Sequence, residues 1–318
     1  MEINSIITIR EYEKRPSFDL VYEWEDEMSK CLDIPLKSVT NGTKLAMLLP
    51  MMNRLLLPNL SFMYHMSPYI GRLQLWNRHN VIPCLIDFFL KKEEDLNSFY
   101  KSYSKHKIVF ISSYEVYLYL KSVNCPLNIA HLPLSLSDKY IIKDNTKYDK
   151  QFDLIMMGRQ SPVLKEFVTK YAQSHPNFYY VYKPEGNPHY ISNRGEDFGD
   201  ARSREDYMLL MRKARVGLYS TPGTDHERNT SGFSQVTPRF LELIANGCHI
   251  ISRYSSNPDT DFFEMSKICK HTDNYDSFEQ QMSEYLSQPV DMQLYSRYLA
   301  NHYTSTRAKQ LQKVVNFL

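Results

Sequence analysis

The sequence lacks the features that mark several large classes of protein. It has no apolar run long enough to span a bilayer, and no basic amino-terminal stretch followed by an apolar one. Its 5 cysteines are widely spaced without a C-x-x-C pair, so the sequence does not indicate a structural zinc site, and reduced thiols are expected. An excess of one charge is also missing, because 38 Lys and Arg face 36 Asp and Glu. We therefore predict a cytoplasmic protein with no nucleic acid partner.

Glycine is scarce and unevenly placed. Of the 10 glycines, only Gly42 and Gly71 precede residue 150. Because the backbone usually approaches a bound phosphate at glycine or at a helix N-terminus, the second half of the chain is the better candidate for holding a nucleotide. The 42% hydrophobic content is that of a globular chain, and 318 residues predict two domains.

Apolar runs alternate with helical periodicity along most of the chain, which predicts an α/β fold with parallel sheets. The clearest strand candidates are 60–65, 81–88, 107–111, 152–157, 177–182, 214–220 and 248–252. Serines at 113, 161 and 203 stand where helix caps are needed, and Pro162 suits the first turn of its helix. Each strand is thus followed by a helix or a polar loop.

Residues 138–151 are the most charged and least periodic stretch, and we place the linker there. The predicted domains are 1–143 and 144–318, both Rossmann-like. An alternative for the final helix is that it packs back on the first domain.

The most informative stretch is 231–251. A polar, glycine-containing loop leads into a helix that starts at Pro238, so the positive end of the helix could hold a diphosphate that Arg239 would reinforce. Glu242 is surrounded in sequence by apolar residues, and a sugar ring could supply hydroxyl partners for its carboxylate. The alternative is a plain crossover helix with Glu242 at its rim and Arg239 in solvent.

Residues 239–251 resemble the R-x-x-E-x-x-A-x-G-x-x-x-I signature of glycosyltransferases group 1, the GT-B-fold sugar transferases, especially the branch related to spore-maturation glycosyltransferases. Further segments are similar in order and spacing, namely 109–113, 128–138, 152–159, 214–219 and 298–315. The resemblance covers about residue 105 to the end and is weak in the amino-terminal third.

The resemblance implies two Rossmann-like domains that face each other across a cleft, with the acceptor on the first and the nucleotide-sugar on the second. By the same resemblance, Glu242 would bond the donor ribose and Arg159 would neutralise phosphate charge. The expected donor-binding residues are Arg159, Lys165, Ser234, Gln235, Thr237, Arg239 and Glu242. Ordinary solvation is the competing interpretation of Lys165.

Two departures from the family pattern bear on mechanism. Gln235 stands where many relatives have a glutamate, which puts the retaining subset in doubt, and Ser135 replaces a linker glycine. An inverting transferase needs a base, for which His65 and Asp87 are the candidates, near the carboxyl ends of predicted strands. For His65 a core or edge position is the alternative.

Three acidic or basic segments remain. Asp259-Thr-Asp261 mimics a metal-binding D-x-D, but we interpret it as a capping loop and expect no required metal or other cofactor. The acidic stretch 23–27 is predicted to be the solvated face of a helix. Residues 43–79 are basic and apolar, which suits peripheral contact with the inner membrane face, although a buried crossover helix over 45–57 fits the pattern better.

The sequence therefore predicts a metal-independent GT-B hexosyltransferase. Its partners would be a nucleotide-sugar donor and a glycan or lipid-linked acceptor, in surface polysaccharide or glycolipid assembly. The alternatives are a non-catalytic GT-B-like accessory subunit that binds nucleotide or glycan, and a sugar-nucleotide epimerase on the same fold.

Overall fold

The computed structural model describes residues 2–11, 18–38, 60–66, 68, 80–226 and 229–318. The chain divides into two compact units. The first comprises Met1–Asp138 with Tyr303–Leu318, and the second comprises Lys139–His302. The division thus falls five residues before the predicted boundary at 143/144, and the last helix belongs to the first unit.

The first unit is built on a parallel sheet. Its described strands are β1 (Ile3–Thr8), β2 (Leu36–Ser38), β3 (Leu60–His65), β4 (Val81–Leu85), β5 (Val109–Ile111) and β6 (Ile129–His131). Its described helices are α1 (Asp19–Leu32), α2 (Glu93–Tyr103), α3 (Tyr114–Ser122) and, from the end of the chain, α10 (Thr304–Asn316).

The strand order of this sheet is β2-β1-β3-β4-β5-β6, and every pairing is parallel. The order changes direction between β1 and β3, because β2 lies on one side of β1 and β3 on the other. Buried side chains of α1 and α10 join those of the strands in one core, which includes Trp24 and Leu311. This packing attaches the carboxyl end of the chain to the first unit.

The second unit has a sheet of its own. Its described strands are β7 (Phe152–Ile155), β8 (Tyr180–Tyr182), β9 (Ile191–Ser192), β10 (Ala214–Ser220) and β11 (His249–Arg253). Its described helices are α4 (Pro162–Ser174), α5 (Arg204–Arg212), α6 (Pro238–Ala245), α7 (Pro258–Phe262), α8 (Tyr275–Ser287) and α9 (Met292–Leu299).

The strand order of the second sheet is β11-β10-β7-β8-β9, parallel except for β9. The order reverses between β7 and β10, which is where doubly wound sheets bind ligands at their carboxyl edge. Helix α6 lies close to β10 because Gly217 has no side chain, and a Cβ there would overlap Leu243 of that helix. The fold therefore brings the start of α6 to the reversal point.

Local chemistry explains the helix starts. The side chains of Ser113, Ser161 and Ser203 each accept a backbone N–H of the following turn, which confirms the three predicted caps. The strands predicted at 60–65 and 214–220 have those bounds in the structure. The predicted α/β class with parallel sheets is confirmed.

Most of the predicted membrane-contact segment, 43–79, lies outside the described residues, as does the alternative helix over 45–57. Within the part of the chain that the structure describes, no helix combines the length and apolarity that crossing a membrane requires.

Candidate functional site

The carboxyl edge of the second sheet carries a turn and a loop on either side of its reversal point. Strand β7 is followed by Gly158 and Arg159, both exposed, and β10 is followed by the loop that leads to α6. Gly158 adopts a left-handed backbone with φ of +62°. A Cβ at that position would overlap the Nη2 atom of Arg239, so glycine permits the turn and the guanidinium to share the space.

Arg239 joins the turn to two helices. Its Nη1 donates to the carbonyl oxygen of Arg159 at 3.0 Å, and its Nε donates to the hydroxyl of Tyr207 at 3.3 Å. Burial lowers the pKa of Arg239, but Tyr207 and the carboxylate of Glu242 raise the pKa by more than burial lowers it. The guanidinium therefore stays charged. Arg239 therefore fixes the Gly158 turn and places a permanent positive charge there. The alternative interpretation had placed Arg239 in solvent, without these contacts.

Glu242 is held by a partner that the sequence analysis did not name. Its Oε1 accepts from Nη2 of Arg204 at 2.6 Å, and the two side chains are 3% and 14% exposed. Arg204 is the first residue of α5, directly after its Ser203 cap. Glu242 and Arg204 are 38 positions apart, and only the packing of α5 against α6 joins them.

Two sets of side-chain contacts hold the loop between β10 and α6. Ser234 Oγ donates to Thr221 Oγ1 at 2.6 Å, and its carbonyl accepts from Asn257 at 3.0 Å. Asp225 receives two hydrogen bonds of 2.7 Å from Arg253, at the end of β11, and a short one from Ser161. The Arg253 guanidinium, followed by the Ser161 hydroxyl, lowers the pKa of Asp225 against the opposing effect of burial.

Three other predicted residues have distinct surroundings. Thr237 precedes α6, and its backbone N–H donates to the Tyr219 hydroxyl at 2.9 Å, while its side chain makes no capping bond. Gln235 is buried, with 5% of its surface exposed. Lys165 is exposed on α4, one turn after Ser161. The structure therefore brings Arg159 together with Arg239 and leaves Lys165 on the polar face of its helix.

The candidate bases His65 and Asp87 lie at one edge of the first sheet. His65 is the last residue of β3, whereas Asp87 lies two residues beyond the end of β4, so its predicted position within a strand was wrong. The backbone joins these two ends, since the N–H of Asp87 donates to the Met66 carbonyl at 3.0 Å. Both side chains are half-buried.

Glu25, in the stretch predicted to be a solvated helix face, is buried, so that prediction was wrong. It is 1% exposed, and Arg10 Nη2 lies 3.3 Å from its Oε2. Burial raises its pKa from 4.5 to about 7, against the opposing effects of Thr8 and Arg10. The spacing of Val21, Glu25 and Met28 was the available signal, because it puts Glu25 on the apolar stripe of α1.

His131 is a further titratable group at the edge of the first sheet that carries His65 and Asp87, and the sequence analysis missed it. It ends β6, and its Nε2 lies 3.2 Å from the carbonyl oxygen of Ser112, which follows β5. Burial lowers the pKa of His131 to about 4 despite the Ser112 carbonyl. The ring is consequently neutral at physiological pH, as a proton acceptor must be.

The D-x-D sequence forms a short helix rather than a loop. The capping residues of α7 are Asn257 and Thr260, whose side chains bond each other's backbone N–H at 2.9 Å. Asp259 is fully buried. Among the residues that the structure describes, no three histidine, cysteine or acidic side chains converge as metal ligands would.

The sequence matches one known family over part of its length. A family model described as glycosyl transferase-like matches residues 169–313, just under half of the chain. No curated protein matches the sequence at a significant level.

Two solved structures share the fold. The pneumococcal O-GlcNAc transferase GtfA, solved with UDP and GlcNAc, is 12% identical with a TM-score of 0.51. The match covers 85% of this chain, which spans only 59% of the transferase. A Listeria monocytogenes protein assigned as a UDP-N-acetylglucosamine 2-epimerase is also 12% identical, with a TM-score of 0.51, covering 99% of this chain and 96% of that one.

At these identities the structural matches establish the fold alone, which is the GT-B fold of glycosyltransferases. The family match includes α6 with Arg239 and Glu242, the residues that carry the signature. The branch related to spore maturation stays a prediction. Residues 169–313 of this GT-B-fold chain match the glycosyl transferase-like family model.

Proposed function

We propose that this protein is a glycosyltransferase that binds a nucleotide-diphosphate sugar at the carboxyl edge of its second sheet. The observation that carries the proposal is the convergence of the Gly158 turn, Arg239 and the start of α6 at the reversal point between β7 and β10. This position suits a dinucleotide or sugar nucleotide for topological reasons. The glycosyl transferase-like family match supports the same assignment.

The leaving diphosphate needs positive charge that is already in place. Arg159 is exposed beside the turn, and Arg239 fixes that turn through the Arg159 carbonyl. The start of α6 adds the positive end of a helix without a side-chain cap, because Thr237 makes none. These groups favour the transition state, since charge on the diphosphate increases as the bond to the sugar breaks.

Glu242 would bond the ribose of the donor. Arg204 holds its Oε1 atom, which leaves Oε2 as the atom for a ribose hydroxyl. In this assignment Arg204 orients the carboxylate, and Gln235 would bond a hydroxyl of the sugar without taking a proton.

The acceptor hydroxyl must lose its proton as it attacks. We assign that role to His65 or Asp87, at the carboxyl edge of the first sheet, and the outcome would be inversion at the anomeric carbon. The acceptor would be a glycan or a lipid-linked glycan. The transferred unit would be a hexose, in assembly of a surface polysaccharide or glycolipid.

The proposal also covers the metal requirement of the reaction and the location of the protein in the cell. We propose a metal-independent reaction, supported by the burial of Asp259 inside a capped helix. We also propose that the protein works in the cytoplasm, with residues 43–79 in peripheral contact with the inner membrane face, which their basic and apolar composition supports.

The test is turnover of the donor. The wild-type protein should release nucleotide diphosphate from one member of a panel of UDP-, GDP-, ADP- and dTDP-sugars, faster with a glycan acceptor present. Arg159→Ala should lower the rate at least tenfold, whereas Lys165→Ala, on the polar face of α4, should change it little. If the two variants behave alike, the charge at the turn has no role in transfer.

A second function, a non-catalytic subunit that binds nucleotide or glycan, is favoured by two observations. Glu242 is nearly buried and already paired with Arg204, and Gln235 replaces a chargeable residue. In that case a nucleotide-sugar would stabilise the fold without any turnover. Conversion of one free nucleotide-sugar into its epimer, without an acceptor, would identify the third alternative.

A further inference from the structure

A cavity of about 700 Å³ lies in the second unit, at the opposite edge of its sheet from the proposed donor site. Lys150 precedes β7, Arg215 is the second residue of β10, and His249 begins β11, so all three lie at amino ends of strands. The donor residues follow the carboxyl ends of the same strands. The cavity is therefore a separate place in the fold, and its volume is typical of ligand sites.

One side of the cavity is lined by flat rings. The rings of His249 and Tyr285 stack with centroids 4.6 Å apart and planes within 3°. Tyr148, from the segment predicted as a linker, is fixed by a 3.0 Å hydrogen bond from its hydroxyl to the carbonyl of Ala245. Burial lowers the pKa of His249, so the stacked ring is uncharged at neutral pH. The cavity is thus lined by aromatic rings that are held in place before any ligand arrives.

The charged groups around the cavity balance. Asp144, Asp149 and Asp291 supply three carboxylates, and Lys147, Lys150 and Arg215 supply three cations. Their formal charges sum to zero with a neutral His249. A phosphate or a nucleotide would need a net positive site, whereas this site combines hydrogen-bond acceptors and donors without a net charge.

A neutral sugar matches that combination. Each of its hydroxyl groups both donates and accepts hydrogen bonds, and the C–H face of its ring is apolar and packs against aromatic rings. Part of the polar lining is also fixed by the protein. Lys150 donates to the carbonyls of Arg212 and Asn246 at 3.1 and 2.8 Å, and Arg215 donates to that of Leu286 at 3.3 Å.

We propose that this cavity is a binding subsite for a neutral glycan, with the Tyr285 ring as its stacking surface and Arg215 as a hydroxyl donor. Its use to hold an acceptor chain rests on the proposed transferase function, but glycan binding itself does not.

The test is saturation-transfer NMR with maltotetraose, cellotetraose and chitotetraose on the full chain. At least one should bind the wild-type protein, and Tyr285→Ala and Arg215→Ala should each weaken that binding at least tenfold. The matched control is Tyr275→Ala, because Tyr275 is a half-buried tyrosine of the same helix outside the cavity. Circular dichroism of each variant reports whether the fold is kept, and Arg215 is exposed, so its loss should not disturb folding.

Nucleotide binding is measured on the same samples by thermal shift, so that failure of this inference is distinct from failure of the transferase proposal. Excess UDP-sugar should leave the tetrasaccharide signal in place. The inference is overturned if none of the three glycans binds, if Tyr275→Ala weakens binding as much as Tyr285→Ala, or if the nucleotide-sugar displaces the glycan.

Discussion

Replacing Arg204 by methionine removes the cation that pairs with Glu242, and we expect the second unit to lose about 3 kcal/mol of unfolding free energy. The carboxylate of Glu242 is 3% exposed, so water cannot replace the lost partner. Loss of one partner of a buried pair costs about 3–5 kcal/mol, and the lower end applies because Arg239 also acts on Glu242 electrostatically.

The reverse change, Glu242→Leu, leaves an arginine that is 14% exposed and can turn toward solvent, so about 2 kcal/mol is expected. The double variant Arg204→Met/Glu242→Leu buries no charge at this pair. Its stability should lie close to that of the wild-type protein, which gives a favourable coupling of several kcal/mol.

Urea unfolding followed by far-UV circular dichroism measures these differences. Both tryptophans, Trp24 and Trp76, precede residue 138 in the sequence, and Trp24 is buried in the core of the first unit, so its fluorescence follows that unit separately. The matched control is Arg202→Met. Arg202 also pairs with a carboxylate, Asp200, at 2.7 Å, but the two side chains are 76% and 33% exposed.

An exposed pair contributes less than about 1 kcal/mol, so Arg202→Met should change stability little. Equal losses in Arg204→Met and Arg202→Met would refute the reasoning. So would a double variant whose loss equals the sum of the two single losses, because the pair would then have no coupling.

Three further predictions follow from other contacts. Glu25 has a pKa raised from 4.5 to about 7, so its contribution to stability is present below pH 4.5 and is lost as the pH rises to 7. Urea titrations should therefore show that the stability of Glu25→Gln rises by about 3 kcal/mol relative to the wild-type protein over that pH range. A difference in stability that stays constant with pH would contradict this prediction. Gly158→Ala should weaken nucleotide binding in calorimetry at least tenfold through the clash with Arg239, whereas Gly186→Ala, with φ of +74° and open space around it, should only cost about 1 kcal/mol of stability. Arg253→Lys loses the two-bond contact with Asp225, so hydrogen exchange in 221–226 should rise at least tenfold, and unchanged exchange would show that the contact does not hold the loop.

The sequence predicted those parts of the fold that depend on neighbours in the chain. Ser161 bonds the backbone two and three residues ahead, so its cap could be inferred from Ser161 and Pro162 alone. Strand β10 is buried along most of its length although Arg215 interrupts its apolar pattern, and its predicted bounds were correct. The two-residue strand β9 is absent from the predicted strands, because two residues carry no periodicity.

The site required contacts between distant residues. The signature indicated Arg239 and Glu242, but the sequence has no local pattern that pairs Glu242 with Arg204, 38 positions away. The same holds for Asp225, whose partner Arg253 ends a different strand. The error at Glu25 had another origin, since its neighbours Glu23 and Asp26 made the stretch look uniformly solvated.

Hydrogen exchange with and without a nucleotide-sugar tests the central claim most directly, because it reports where the donor binds. With the donor that gives the largest thermal shift, the account predicts slower exchange at the amides of 158–161 and 234–240. Protection confined to other segments, or no protection with any member of the panel, would contradict the assignment of the donor to the carboxyl edge of the second sheet.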